Sequence, residues 1–162
     1  MTDIFDLLTT EEGWREKPYI DSEGFPSVGF GFLIGPKGAP LSHYTFKVPR
    51  TAGEVWMREL LNETIHDMQY TPGIGAALAY LAKIAGGSMM QDARCSVLIS
   101  MAYQMGVTGL AGFKNTLAYI ANGDFENAAK NMLASKWAKQ TPDRAKRHAE
   151  QMRTGHWAPE YQ

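Results

Sequence analysis

Between Glu11 and Gly31 the hydrophobic pattern of this chain passes from helical to strand period, and that switch constrains its fold more than any other feature. Ahead of it, Ile4, Phe5, Leu7 and Leu8 form an apolar stripe at helical spacing. Thr2 or Asp3 can cap this first helix, and Gly13 can take the left-handed conformation that ends it. Behind it, residues 17–34 carry strand signals: Tyr19-Ile20, then Phe25 to Phe30 interrupted by Pro26, then Phe32-Leu33-Ile34. Ser22-Glu23-Gly24 is the turn cluster between the first two. Gly29 and Gly31, flanking Phe30, point to bulges or to backbone brought close to a ligand.

The rest reads as helices separated by Gly and Pro. Residues 35–50 hold Gly35, Pro36, Gly38, Pro40 and Pro49 and predict a loop or flap. Thr51-Ala52-Gly53-Glu54 reads as a capping box opening a long helix over 51–69, with Val55, Trp56, Leu60, Leu61, Ile65 and Met68 on one side. Pro72-Gly73 stops it. Further helices are expected over 74–85 and, capped by Ser88, over 89–105, the latter central to a core. A glycine-rich loop is expected over 106–112, then helices over 114–122, from Asp124 to Ser135, and from Thr141-Pro142 to near Gly155. The expected fold class is α+β in a single domain, 1–162. A small lobe, 13–60, carries a three-stranded antiparallel sheet, residues 1–12 and 70–162 form a helical lobe, and helix 51–69 connects them.

Several chemistries drop out. The only cysteine, Cys95, has no partner for an internal disulfide and falls among apolar helix residues, as a buried inert thiol would. His43, His66, His148 and His156 lack metal-ligand spacing, and each is expected at the surface or locally hydrogen-bonded; no metal and no cofactor are expected. There is no serine elbow and no phosphate loop. The first 25 residues lack a basic start and an apolar run, and no window has the length of a membrane span, so the expectation is a cytoplasmic chain with no stable membrane insertion. Net charge is −1, yet residues 1–23 hold seven acids and two bases, whereas 130–153 hold seven bases and two acids. Either both are solvated faces, or a base from the second segment serves an acid of the first. No aromatic platform accompanies the bases, so no nucleic acid is expected as a partner.

What survives is a pair of acids with a hydroxyl. Glu12 falls in the last turn of the first helix, where the helix dipole disfavours a negative charge, and Asp21 sits at a strand end beside a turn, where solvent would keep it ionised. Ser27 follows on the next strand. Unequal environments divide two carboxylates into a proton donor and an ionised partner, as glycoside hydrolysis requires. Two ordinary surface acids remain the alternative at this point.

In order and spacing these residues resemble the T-even phage-type lysozymes of glycoside hydrolase family 24. The likeness runs from Ile4-Phe5 to Gly31, through Gln104-Met105-Gly106 to Lys114-Asn115, through Ala128-Ala129 to Trp137, and through Gln140-Thr141-Pro142-Asp143-Arg144 and Arg153-Thr154-Gly155-His156-Trp157. The resemblance implies a muramidase, an endolysin that cuts the β-1,4 bond between N-acetylmuramic acid and N-acetylglucosamine in peptidoglycan with inversion. Glu12 matches the general acid, Asp21 the second carboxylate, Ser27 a hydroxyl that helps place the attacking water, and Arg144 a base that pairs with the acid. Leu33, Tyr103, Gln104, Phe113, Thr116 and Asn131 match positions that bind the saccharide, in a cleft between the lobes. The implied partners are peptidoglycan glycan strands and, for access to the wall, a separate holin. The implied protein is a monomer, held in the host cytoplasm until lysis releases it to the periplasm and wall.

Three departures from the best-known members stand out. Ser27 replaces threonine, and Phe32 replaces a histidine and with it an ion pair. The loop at 35–50 replaces a helix, and 70–87 is longer and richer in glycine. The alternatives are a lytic transglycosylase, which needs a single acid, and a non-catalytic wall-binding phage protein.

Overall fold

The computed structural model describes residues 2–162. Helix α1 (Ile4–Glu12) starts where Asp3 Oδ1 accepts the N–H groups of Phe5 and Asp6 at 2.8 and 3.3 Å, so Asp3 is the cap. It buries Ile4, Leu7 and Leu8 and ends at Gly13, whose φ of 66° disfavours any residue with a Cβ. Three strands follow, β1 (Arg15–Ile20), β2 (Pro26–Gly29) and β3 (Phe32–Leu33), paired antiparallel in the order β1-β2-β3. The β1–β2 ladder is irregular between Arg15 and Tyr19, where Pro18 has no N–H to contribute. Regular pairing resumes at Tyr19↔Ser27 and Ile20↔Pro26, and Ser27 pairs onward with Leu33. The fold is α+β, as the pattern predicts.

Seven further α-helices follow among the described residues: α2 (Arg50–Tyr70), α3 (Pro72–Ala85), α4 (Ala93–Ala111), α5 (Lys114–Ala121), α6 (Phe125–Leu133), α7 (Lys136–Gln140) and α8 (Pro142–Thr154). Four details differ from expectation. No capping box opens α2, because Glu54 pairs instead with Arg50 Nε at 3.1 Å and the helix already includes Arg50. The buried side of α2 carries Met57, Leu61 and Met68, while Val55 is exposed and Trp56 lies over a ring of the sheet rather than in a helical core. Helix α4 starts at Asp92, whose carboxylate accepts the Cys95 N–H at 2.8 Å, and Ser88 belongs to the preceding turn. The expected loop at 106–112 is helical after a break at Gly106 (φ 79°, ψ 158°), so the glycine kinks the chain instead of unwinding it. The segment 35–49 is a loop with one 3-10 turn, Leu41–His43.

The chain divides into two compact units, Leu8–Leu60 and the remainder. The first has an aromatic core. Trp14 and Phe30 lie 4.8 Å apart, Phe30 and Phe32 6.2 Å, and Phe32 stacks on Trp56 at 4.4 Å. Phe32 therefore holds β3 to α2 by ring stacking. The loop is tied to this sheet by the Val48 N–H to Glu16 O and the Gly38 N–H to Gly24 O. The second unit is built around α4, whose Val97, Leu98, Ile99 and Met101 are wholly buried, with α6 and α4 both packed on α8 and α3 on α5. Ile4 N–H joins the start of α1 to this unit through Met90 O at 2.9 Å. Among the described residues, no single helix is long and apolar enough to cross a membrane.

Gly53, inside α2, decides a sign. Alanine there would gain about 1 kcal/mol of helix propensity. Its Cβ, however, would overlap the Trp14 indole, and overpacking costs about 1–3 kcal/mol. Gly53→Ala is expected to lower stability in urea unfolding; an equal or higher midpoint contradicts the packing of Trp14 against α2.

Candidate active site

The Leu8–Leu60 unit contains Glu12, Asp21 and Ser27, at the end of α1, after β1 and on β2 respectively. Asp21 follows β1 and closes the hairpin. Its N–H donates to Phe25 O at 2.9 Å, and its Oδ1 accepts the N–H groups of Glu23 and Phe25, both at 2.9 Å. That is why Ser22-Glu23-Gly24 can be a tight turn: a carboxylate bonds backbone two and four residues on. The turn leaves Asp21 half-buried and tied to backbone rather than freely solvated, the one respect in which its surroundings differ from expectation. Oδ2 faces Ser27, whose hydroxyl donates to it at 3.4 Å. Ser27 is itself buried in the middle of the sheet.

Glu12 is the last residue of α1, and Gly13 turns the chain away after it. A Cβ built on Gly31 would lie 3.5 Å from Glu12 Oε2, so the carboxylate rests over bare backbone of the β2–β3 turn. At Gly31 the bare backbone therefore lies close to a catalytic candidate. Tyr19, which sequence reasoning passed over as a site residue, links the two acids. It pairs with Ser27 across the ladder, and the Arg15 guanidinium lies 4.4 Å over its ring. Burial raises its phenol pKa, Arg15 opposes this, and the charges of Glu12 and Asp21 both add to it. One phenol thus feels both carboxylates and remains a hydrogen-bond donor at neutral pH. Its one local signal was its place on β1, two residues before Asp21.

The other unit holds the remaining candidates except Leu33, which is exposed on β3. A groove of about 620 Å³ is lined by Phe113, Asn131, Ser135, Trp137 and the lysines Lys114 and Lys136, among others. Asn131 in this groove and Gln104, bonded to its Trp137, have their carboxamides oriented by neighbouring side chains. The buried Thr116 hydroxyl donates to Asn131 Oδ1 at 2.7 Å, and Trp137 Nε1 donates to Gln104 Oε1 at 2.8 Å. Each bond fixes which way the amide faces and leaves its NH₂ group as the outward donor. Phe113 and Trp137 meet edge to face at 6.2 Å. Trp137, Lys114 and Lys136 were not among the predicted site residues. Tyr103 is half-buried on α4. Arg144 is buried on α8 and donates through Nη2 to Ser100. Among the described residues no His, Cys, Asp and Glu cluster suits a metal ion. Of the four histidines, His148 is wholly buried and the other three are exposed. Burial raises the Cys95 thiol far above its usual range, so it is inert.

The sequence model of the phage lysozymes matches residues 9–150. The chain belongs to the phage lysozyme family. Membership places it among glycoside hydrolases that act on the bacterial cell wall. It is 31% identical over 154 residues to the pre-baseplate central spike protein Gp5 of Enterobacteria phage T4, covering 88% of this chain and 26% of that one. It is 26% identical to a protein of Dictyostelium discoideum named probable T4-type lysozyme 1, over 96% of each. Likeness to the peptidoglycan hydrolase gp36 of Pseudomonas phage phiKMV is 28%, over 93% of this chain and 15% of that protein. The chain thus spans only a part of the two phage relatives and nearly the whole of the Dictyostelium one.

The hairpin makes a prediction for this family member. Removing the Asp21 carboxylate leaves two backbone N–H groups without their acceptor, at a cost of about 1–3 kcal/mol. Asp21→Ala is therefore expected to lose that much in thermal unfolding, whereas Asp21→Asn, which keeps Oδ1, loses less. Equal stability of the two variants contradicts the hairpin-closing role.

Proposed function

We propose that this lysozyme cleaves the β-1,4 bond between N-acetylmuramic acid and N-acetylglucosamine, with inversion, and lyses the host from within. The observation that carries the reading is the Asp21–Ser27 pair. The carboxylate is held through Oδ1, and Oδ2 shares its space with a buried hydroxyl. An anchored oxygen with a hydroxyl neighbour suits the holding of a water molecule. In this mechanism Glu12 gives its proton to the glycosidic oxygen as the C–O bond breaks. The water held by Asp21 and Ser27 forms the new C–O bond from the opposite face and passes its proton to Asp21. Leu33, Tyr103, Gln104, Phe113, Thr116 and Asn131 hold the glycan. The outward NH₂ groups of Gln104 and Asn131 meet its acceptor oxygens and Phe113 its apolar faces. Arg144 is the base that supports the acid. A lytic transglycosylase has no use for a second carboxylate held in this way. Release from the cytoplasm through a holin pore belongs to the same proposal.

Glu12→Gln and Asp21→Asn are each expected to slow lysis of permeabilised cells about a hundredfold or more, with the fold retained by circular dichroism. Wild-type lysis by either variant overturns the assignment.

A further inference from the structure

His148 is wholly buried on α8 and has no part in the reaction above. The rings of Trp137 and Tyr161 lie 6.0 and 6.3 Å from it, and Ser100 of α4 touches one of its nitrogens. The polarity of this cluster follows from donors and acceptors alone. A guanidinium only donates. Arg144 Nη2 therefore makes Ser100 Oγ an acceptor at 2.7 Å, and it also donates to the Ser100 carbonyl at 3.3 Å. The Ser100 hydroxyl has one hydrogen, and among the described residues the acceptor recorded for it is His148 Nε2 at 2.8 Å. Nε2 then carries a lone pair, and the imidazole proton sits on Nδ1, facing Tyr161 Oη at 3.4 Å. Tyr161 Oη also accepts from Arg147 Nε at 3.2 Å. Protonating the ring would turn Nε2 into a second donor toward Ser100. Burial opposes that first, and the charges of Arg144 and Arg147 add to it, holding the imidazole well below the usual histidine range.

We propose that His148 and Ser100 are positioning residues for Arg144. The imidazole lone pair fixes the direction of the Ser100 hydroxyl, and the hydroxyl oxygen, its hydrogen turned away, holds the guanidinium. Without the histidine, that hydrogen is free to swing toward Arg144, and a long side chain with many rotamers loses its anchor. The relay starts in the 3-10 turn Pro159–Tyr161, so the end of the described chain takes part in placing a residue of α8. The inference rests on the reading of Arg144 as the base that supports the acid.

The test is kcat and KM on soluble, uncross-linked peptidoglycan for Ser100→Ala, His148→Leu and His148→Gln, each alone and combined with Arg144→Ala, with unfolding midpoints measured alongside. Ser100→Ala and His148→Leu are expected to lower kcat about tenfold with KM within about twofold. His148→Gln, which offers an acceptor to Ser100 and a donor to Tyr161, recovers most of the loss. In the Arg144→Ala background the further loss disappears, because the effect passes through Arg144. Wild-type kcat in Ser100→Ala, or the same loss with Arg144 absent, overturns the relay. Wild-type kcat in Arg144→Ala alone overturns the reading of Arg144 itself and removes what the relay would position. The His148 ¹⁵N shifts in the unaltered protein give an independent readout. They are expected to report the Nδ1–H tautomer, and an Nε2–H tautomer contradicts the assigned polarity.

Discussion

The bonds from the Glu23 and Phe25 N–H groups to Asp21 Oδ1 are the constraint on which the small unit depends. They close the β1–β2 hairpin, and the hairpin sets the register that puts Tyr19 opposite Ser27 and Ser27 opposite Leu33. A one-residue slip would send Ser27 to the other face of the sheet. The group that orders the turn is thus the group proposed to hold water. Its two oxygens divide these tasks, with Oδ1 on backbone and Oδ2 toward the Ser27 hydroxyl. A carboxylate anchored in this way has little freedom to rotate, which suits orientation better than attack.

The second unit uses the same device with other chemistry. Asn131 and Gln104 can present either end of their amides, and a buried Thr116 hydroxyl and the Trp137 indole N–H decide which. Arg144 is held by a serine whose own hydrogen is directed by a neutral histidine. In each case a polar side chain proposed to act on the ligand or the reaction is oriented by a hydrogen bond with a neighbouring side chain. This arrangement keeps a polar group in place before the substrate arrives. It also accounts for three of the buried polar side chains, Ser100, Thr116 and His148, since each has a partner.

Local signals made most of the fold legible. Asp3, Asp124 and Pro142 start their helices where side-chain chemistry says they should, and Gly13 and Gly155 end them in left-handed geometry. Misreadings came where tertiary contacts overrule local preference. Glu54 chose Arg50 over a capping box, Trp56 left the helix stripe for the Phe32 ring, and Gly106 kinked α4 without ending it. The two acids and the hydroxyl of the candidate site could be named from spacing, because they fall on neighbouring elements of one short stretch. Tyr19 and Trp137 could not be assigned roles, since their importance comes from neighbours across a ladder or more than 30 residues away. The His148 relay was equally hidden. Its links to Ser100 span 48 residues, and no local pattern distinguishes a buried histidine with partners from an exposed one.

The claim that Asp21 and Ser27 direct water, rather than forming a bond to the sugar, is tested most directly by the anomer first released. Proton NMR during the first turnovers on a soluble β-1,4-linked muropeptide chain, before mutarotation, should show the new reducing end as the α anomer. A β anomer formed first, or a 1,6-anhydro end with no reducing end, would contradict the account.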